Sequence, residues 1–217
     1  MILMYLFLIL SLDLKLMKIS LEKFPKELES LNYICGIDEV GRGCLAGPVF
    51  AGAVILPKNF ESDLIKDSKK LSEKNRLKAF ELIKENALSW SYCHVTQDII
   101  DSENIQKATY SAMYHSIKNL DIKPQHLLVD GNVFENKTEI PHTCVIKGDN
   151  KYLCIAAASI VAKVIRDDYM VKIDRIYPKY NWRNNKGYGS KEHIEKILSE
   201  GITPHHRKSF LKKILKS

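Results

Sequence analysis

Acidic residues end or interrupt several apolar segments of this sequence, and their side chains could bind metal ions. Asp38 and Glu39 close a run of apolar and aromatic residues, and Asp130 closes another beside a glycine. Asp167 and Asp168 lie in the charged half of a long helical pattern. Divalent cations such as Mg²⁺ take oxygen ligands, and two such ions can activate water and stabilise the leaving oxygen in phosphodiester hydrolysis. Carboxylates at strand ends are also common as caps and surface groups, so the spacing alone leaves both interpretations open.

The first acidic pair is followed by a sharp turn with a cation at its centre, formed by Gly41, Arg42 and Gly43. The chain then returns as a second apolar run at residues 49–56. Neighbouring residues of a strand point to opposite faces, so the two carboxylates can share one site only if Glu39 lies at the strand end. This pattern is plausible for a catalytic site, and a solvated hairpin tip is the alternative.

Apolar periodicity divides the chain into strands and helices. Alternating or continuous apolar runs predict strands at residues 34–38, 49–56, 88–95, 127–131 and 142–146. Helical spacing predicts helices at residues 18–32, 72–86, 99–120, 153–176 and after Ser190. The first half of the helix at 153–176 is rich in alanine, which allows close contact with a sheet. Early strands followed by alternating strand and helix predict an α/β fold with a mixed sheet.

The composition is that of one globular domain, with 45% hydrophobic and 27% charged residues. Lys and Arg total 33 against 26 Asp and Glu, giving a net charge of +7. This excess suits a polyanionic partner, but a lysine-rich surface that serves only solubility would give the same charge. The five cysteines are odd in number and contain no C-x-x-C. They predict free thiols in a reducing cytoplasm, buried at least at Cys35 and Cys154, and argue against a disulfide framework or a cysteine zinc site.

Residues 1–12 are almost wholly apolar. They are too few to span a bilayer, which needs about 20 residues. No Lys or Arg precedes them and no small-residue cleavage site follows, as a signal peptide requires. The segment either packs on the protein as an amphipathic piece or is translated from an upstream Met when the working start is Met17. We favour the second interpretation, and export or membrane anchoring is a third.

Motifs along most of the chain resemble ribonuclease HII, in the order GIDEVGRGCLAGPV, DSKKLS, LLVDG, KGD, AAASIVAKVIRD, KGYGS and HHRKSF. The related ribonuclease HIII usually has Lys in place of Arg42 and an extra N-terminal domain, so the HII type is preferred. The resemblance implies a ribonuclease-H-like fold, with a mixed five-stranded sheet flanked by helices and a C-terminal helical extension. It divides the chain into a leader with a short helix at 1–32, a catalytic domain at 33–180 and a substrate-contacting segment at 181–217.

The resemblance also implies an activity. The expected enzyme hydrolyses the RNA strand of RNA–DNA hybrids and cuts 5′ to ribonucleotides embedded in duplex DNA, leaving 3′-hydroxyl and 5′-phosphate ends, during DNA replication and repair. Two divalent ions, Mn²⁺ or Mg²⁺, would be held by Asp38, Glu39, Asp130 and Asp167. Helix geometry alone does not choose Asp167 over Asp168. A cytoplasmic monomer without a membrane partner is expected.

Substrate contacts follow from the same resemblance. Gly41, Arg42 and Gly43 resemble a loop whose backbone recognises the 2′-hydroxyl, a role that suits glycine because the backbone must approach the sugar closely. Tyr188 matches a tyrosine that packs against a neighbouring nucleotide sugar. The histidines at 205–206 are expected to be structural or to contact the duplex. Candidate phosphate contacts, each of which could instead be a solvated surface charge, are Lys69, Lys70, Lys147, Lys163, Arg166, Lys186 and Arg207.

Two other kinds of nucleic-acid protein are alternatives. A junction resolvase of the same fold superfamily could share the carboxylates, but the turn at residues 41–43 and Tyr188 argue against it. A hybrid-binding module that has lost its metal is opposed by the complete set of acidic residues.

Overall fold

A mixed five-stranded sheet forms the centre of the molecule. The computed structural model describes residues 21–65, 68 and 71–216. The strands are β1 (Ile34–Val40), β2 (Val49–Ile55), β3 (Ser89–Val95), β4 (His126–Asp130) and β5 (His142–Val145). Their order across the sheet is β3-β2-β1-β4-β5. The pairs β1–β2 and β2–β3 are antiparallel, while β1–β4 and β4–β5 are parallel. The predicted strands and the α/β class are therefore confirmed.

Helices flank this sheet. In the described part of the chain they are α1 (Glu73–Asn86), α2 (Gln97–Glu103), α3 (Ile105–Lys118), α4 (Leu153–Asp174), α5 (Trp182–Asn185), α6 (Lys191–Glu200) and α7 (Lys208–Leu211). Short 3-10 turns occur at Lys26–Leu28, Gly148–Asn150, Pro178–Tyr180 and Ile214–Lys216. Ser72 and Ser190 cap α1 and α6 through their side-chain oxygens, as their positions in the sequence suggest.

Two predicted helices differ from the structure. The single helix predicted at 99–120 is two helices, because Asn104 adopts a φ of 85° and its side chain accepts hydrogen bonds from the N–H groups of Gln106 and Lys107. The helix predicted at 18–32 is, from residue 21 onward, only the turn Lys26–Leu28. Pro25 is extended there, with a φ of −58° and a ψ of 143°, so a helix does not run through it.

Helix α4 lies directly against the sheet, and two glycines make this approach possible. A Cβ on Gly36 would lie 2.1 Å from the carbonyl carbon of Cys154, and a Cβ on Gly52 would lie 2.4 Å from the carbonyl oxygen of Ala158. The alanines in this half of α4 are fully buried, as their small size predicts. The close contact brings Ser159 over the end of β1.

The C-terminal elements pack on the far half of α4. Their apolar cluster joins residues from both sides of the predicted boundary at residue 180, namely Ala46, Met170, Ile173, Tyr180, Trp182, Ile197 and Leu211. The division of the chain into segments stays a prediction. Residues 1–12 lie outside the described residues, and within those that are described no helix combines the length and apolar character needed to cross a membrane. All five cysteines are free, with Cys35 and Cys154 buried as predicted.

Candidate active site

The parallel pairing of β1 with β4 places two predicted site residues side by side. Ile37 and Val129 form the last pair of this parallel ladder. Asp38 and Asp130 are the next residues of the two strands and therefore lie side by side. Glu39 occupies the following position of β1, and that strand ends at Val40. Three of the four predicted metal-binding residues therefore meet at one edge of the sheet. We call Asp38, Glu39 and Asp130 the carboxylate cluster.

Asp38 is the most buried member of the carboxylate cluster, with 4% of its surface exposed. Burial raises its pKa well above the usual range, and the neighbouring charges of Glu39 and Asp130 raise it further. Two donors favour the charged form, the Ser159 hydroxyl and the Glu39 N–H, which lies 2.7 Å from Oδ1. These donors only partly offset the cost of holding like charges together.

Glu39 has a cation beside it. Burial raises the pKa of Glu39, the Arg42 guanidinium opposes this shift, and the charge of Asp130 adds to it. Arg42 Nη1 lies 3.4 Å from Glu39 Oε1. The Arg42 side chain is 48% exposed, so this ion pair is weak and solvent-screened.

The turn after β5 supports Asp130 and brings in an acidic residue that the sequence analysis did not assign to the site. The Gly148 N–H donates to Asp130 Oδ1 at 2.6 Å. Asp149, the next residue, is buried with 5% exposure and accepts a hydrogen bond from Asn150. A buried acid in a turn bound to the carboxylate cluster is a candidate ligand. Its signal in the sequence was the KGD motif that closes β5.

Asp167 is not brought to the carboxylate cluster. It lies eight residues beyond Ser159 on α4, about 12 Å along the helix axis. Its carboxylate instead pairs with Lys163 Nζ at 2.7 Å and with Arg76 Nη1 at 3.5 Å. Asp168 pairs with Lys172 on the surface, as expected for a solvated charge.

Two serines support Asp38 from behind, and the sequence analysis missed both. Ser159 Oγ lies 2.9 Å from Ser68 Oγ, and both residues are buried. Either hydroxyl can be the donor in this pair, and the Ser159 hydroxyl also favours the charged form of Asp38, which lowers its pKa. Arg76 Nε in turn donates to the Ser68 carbonyl oxygen at 2.9 Å. A lone serine within the alanine-rich half of α4 was the available sequence signal.

The turn at residues 41–43, which we call the Gly-Arg-Gly loop, lies immediately beyond the carboxylate cluster. Gly41 is buried with a φ of 91°, while Arg42 and Gly43 are exposed. Tyr188 is 41% exposed, and its ring lies 5.7 Å from the guanidinium carbon of Arg166. Burial, followed by the neighbouring Cys44, raises the pKa of Tyr188 to about 12, so the phenol stays protonated.

The structure corrects two of the candidate phosphate contacts. Arg166 and Arg207 are both fully buried and cannot reach a phosphate from their places in the fold. Lys163 is engaged with Asp167, whereas Lys147 is exposed. Lys186 is half-buried, and its ammonium donates to the carbonyl of Arg183. Lys69 and Lys70 lie outside the described residues.

The donor chemistry of the carboxylate cluster fits a divalent cation. Its members offer only oxygen atoms, and a cation would relieve the repulsion that raises the pKa values of Asp38 and Glu39. Within residues 21–65, 68 and 71–216, no three His, Cys, Asp or Glu side chains already form a closed ligand set. The carboxylates are thus neighbours that a cation would draw together.

A five-stranded mixed sheet whose first strand ends in clustered carboxylates defines a metal-dependent nuclease of the ribonuclease-H-like class. The family model of ribonuclease HII matches residues 35–213, and the chain belongs to that family. Ribonuclease HII of Parabacteroides distasonis is 54% identical over 175 residues, covering 81% of this chain and 88% of that protein. The protein is therefore a metal-dependent endoribonuclease that acts on RNA–DNA hybrids.

Solved structures support the same fold. Ribonuclease H2 from Pyrococcus horikoshii OT3 matches with a TM-score of 0.72 and 27% identity, covering 85% of this chain and 97% of that one. Bst-RNase HIII in complex with Mn²⁺ matches with a TM-score of 0.70, covering 89% of this chain and 73% of that one. At 17% identity this second likeness shows the fold alone.

Proposed function

We propose that this protein cuts on the 5′ side of ribonucleotides embedded in duplex DNA, as well as within longer RNA–DNA hybrids. The products would carry 3′-hydroxyl and 5′-phosphate ends, and the role would be ribonucleotide removal during DNA replication and repair. One observation carries the proposal: the carboxylate cluster lies directly beside the exposed backbone of the Gly-Arg-Gly loop. Hydrolytic chemistry and a surface able to approach a ribose are thus adjacent.

Asp38, Glu39 and Asp130 would hold Mg²⁺ or Mn²⁺, with two ions expected during the reaction. Bound divalent ions supply an activated water and stabilise the leaving oxygen. The protein's own contribution is to fix the carboxylates. The Ser68–Ser159 pair and the Glu39 N–H orient Asp38, and the Gly148 N–H orients Asp130. Such preorganised polar groups account for much of the rate enhancement in enzymes of this kind.

The Gly-Arg-Gly loop would select ribose. Gly43 is exposed, and a Cβ built on it meets no protein atom within 4 Å, so a sugar can approach this backbone without obstruction. The 2′-hydroxyl is the group that separates RNA from DNA at a given position. Tyr188, which is 41% exposed and whose ring lies 5.7 Å from the guanidinium carbon of Arg166, would pack against an adjacent sugar.

The fourth metal-binding carboxylate has two candidates. Asp167 follows from the family resemblance, but Lys163 and Arg76 already occupy its oxygens. Asp149 is buried in the turn that binds Asp130. We propose Asp149 as the fourth ligand and assign Asp167 to holding α1 against α4 through Arg76. Cytoplasmic location and a monomeric state remain predictions.

A labelled DNA duplex containing one ribonucleotide tests the proposed function. Wild type and Asp38→Asn are incubated with Mg²⁺, with Mn²⁺ and with EDTA, and the product ends are mapped. Cutting 5′ to the ribonucleotide, by wild type alone and only with a divalent metal, is the expected result. Folded wild type that cuts a long hybrid but leaves the single ribonucleotide intact would contradict the proposal while leaving the family activity in place.

A further inference from the structure

A buried arginine holds the Gly-Arg-Gly loop from behind. The side chain of Arg207 is fully buried and donates four hydrogen bonds, all to backbone carbonyls of this part of the chain. Its Nη2 donates to the Gly41 oxygen at 2.7 Å, and its Nη1 donates to the Arg42 oxygen at 2.8 Å. Its Nε and Nη2 both donate to the Gly47 oxygen, at 2.9 and 2.8 Å.

This arrangement determines where the amide groups of the loop point. In a trans peptide the carbonyl of one residue and the N–H of the next point in opposite directions. Since the carbonyls of Gly41 and Arg42 face inward to Arg207, the N–H groups of Arg42 and Gly43 face outward. Both residues are exposed, and neither N–H donates to any residue that the structure describes. Two adjacent donors are therefore presented to solvent.

Arginine suits this position better than any other cation. The guanidinium group offers five N–H donors in a rigid planar fork, whereas an ammonium group is a compact point charge on a flexible chain. The Phe210 ring lies 5.2 Å from the guanidinium carbon of Arg207 and fixes its plane further. The backbone N–H of Arg207 donates to the Leu45 oxygen at 2.8 Å, which ties the arginine to the segment it supports.

We propose that Arg207 is a positioning residue for ribose recognition: it turns the Arg42 and Gly43 N–H groups toward the 2′-hydroxyl of the bound ribonucleotide. This inference rests on the proposed function, because it concerns how the same loop distinguishes ribose from deoxyribose. Arg207 does not touch the substrate and acts only through the backbone of the Gly-Arg-Gly loop. A merely structural Arg207 would instead anchor the C-terminal segment without affecting sugar selectivity.

The positioning role and the structural role of Arg207 predict different ratios of two affinities, one for a duplex with a ribonucleotide and one for an all-DNA duplex. Dissociation constants are measured with Mg²⁺ for a DNA duplex containing one ribonucleotide and for the same duplex in all-DNA form. Every protein carries Asp38→Asn to suppress cleavage. A loss of folded protein weakens both apparent affinities by the same factor, so it leaves the ratio unchanged. Misplacement of the two N–H groups lowers only the affinity for the ribonucleotide.

The test variant is Arg207→Lys, which keeps the charge and loses the fork. Tyr180→Phe is the matched control, because it removes a 2.9 Å hydrogen bond from the Tyr180 hydroxyl to the Gly201 carbonyl in the same C-terminal segment, away from the loop. We expect Arg207→Lys to lower the ratio roughly 3- to 10-fold, the value of about one hydrogen bond. Tyr180→Phe should leave it unchanged.

Phe210→Leu covers the case in which Arg207→Lys fails to fold. It removes the ring beside the guanidinium while keeping all four hydrogen-bond donors, and a smaller decrease of the ratio is expected. An unchanged ratio in folded Arg207→Lys, or in Phe210→Leu if the lysine variant does not fold, overturns the role of Arg207. A reference protein with no preference for the ribonucleotide overturns the proposed ribose selectivity as well.

Discussion

Like charges are buried side by side in two regions of this protein, and the two regions differ in how fully hydrogen bonds compensate the repulsion. In the carboxylate cluster, burial and mutual repulsion raise the pKa of Asp38, and the nearby donors only partly compensate. In the other region the guanidinium groups of Arg166 and Arg207 repel each other. There Arg166 donates three hydrogen bonds and Arg207 four, all to carbonyl oxygens.

The carboxylate cluster would be stabilised by a bound cation, whereas the arginine pair is already stabilised by hydrogen bonds within the protein. Backbone carbonyl oxygens accept the hydrogen bonds of both guanidinium groups, so the two arginines require no bound ligand. The carboxylates keep unfavourable charge that a divalent cation would neutralise. The carboxylate cluster, where we propose that metal binds, is therefore destabilised without a cation, whereas the support of the neighbouring loop is stable by itself.

Removing the charge of Asp38 should produce the largest change in activity. We expect Asp38→Asn to lower cleavage by about 1,000-fold, the scale associated with losing one preorganised electrostatic group. The same substitution should raise the melting temperature of the metal-free protein at pH 7 by a few degrees. The reason is that a carboxyl with a raised folded-state pKa destabilises the fold once pH exceeds its unfolded-state pKa.

Asp168→Asn is the control for this prediction, because Asp168 is an exposed helix residue paired with Lys172. Cleavage assays and thermal melts with and without EDTA provide both measurements. Active Asp38→Asn, or a lower melting temperature without metal, would show that the carboxylate cluster is not the strained metal site described above.

Asp149→Asn and Asp167→Asn distinguish the two candidate ligands. Asp149→Asn should lower cleavage by about 100-fold, the scale of losing one preorganised electrostatic group at an active site. Asp167→Asn should lower stability by roughly 1–3 kcal/mol, since Arg76 and Lys163 lose a half-buried partner. Its activity at a temperature where it stays folded should fall less than tenfold. The opposite pattern would return Asp167 to the metal site.

Two glycines of the same loop should respond differently to alanine. In Gly41→Ala the new Cβ would lie 2.2 Å from Arg166 Nε at a φ of 91°, so we expect a stability loss of about 1–3 kcal/mol. In Gly43→Ala the Cβ meets nothing within 4 Å, and the melting temperature should not change. Affinity for a ribonucleotide-containing duplex should nevertheless decrease several-fold, because the methyl group occupies the space needed by the sugar. Unchanged affinity in Gly43→Ala would place the sugar elsewhere.

Stability should also depend on pH in acid. His206 is buried, and desolvation followed by the nearby His193 lowers its pKa from 6.5 to about 4. Its Nδ1 accepts from the Thr203 N–H, and its Nε2 lies 3.2 Å from His193 Nε2. The unfolded chain binds the proton more strongly between these two pKa values. Stability from the neutral histidine is therefore full above pH 6.5 and lost toward pH 4.

His206→Gln isolates this contribution, since glutamine can still accept from Thr203 and donate to His193. The melting temperature of wild type minus that of the variant should decrease as pH falls from 6.5 to 4. Asp38 and Glu39 contribute in the opposite direction in acid, because their raised pKa values make the folded state the better proton binder. A constant difference across this pH range would mean that His206 is not held neutral by the fold.

Local sequence patterns predicted what depends on local structure. Apolar runs located the five strands, and the parallel register of β1 with β4 then brought Asp38 and Asp130 together. Helix periodicity could not show the break at Asn104, because that break depends on one left-handed residue whose side chain caps the next helix.

Local sequence patterns did not predict contacts between residues that are far apart in the sequence. Arginine is usually found on the surface, so the sequence did not predict that Arg166 and Arg207 are buried. The backbone carbonyls that accept their hydrogen bonds come together only in the folded chain. Asp167 was predicted as a ligand because it follows Arg166 in a motif, whereas the folded chain places Lys163 and Arg76 around it. The KGD motif alone did not place Asp149 at the site, because its position depends on the Gly148–Asp130 hydrogen bond that joins β4 to the turn after β5.

The hydrogen bonds of Arg207 to the loop join residues that are synthesised at different times, because their partners are 160 to 166 residues apart in the sequence. At synthesis rates of 5–20 residues per second, roughly 8 to 33 s separate the two partners on the ribosome. During that interval the nascent chain contains its loop but not the arginine that orients it. Selectivity for ribose would therefore arise only after Arg207 has been synthesised and has packed against the Gly-Arg-Gly loop.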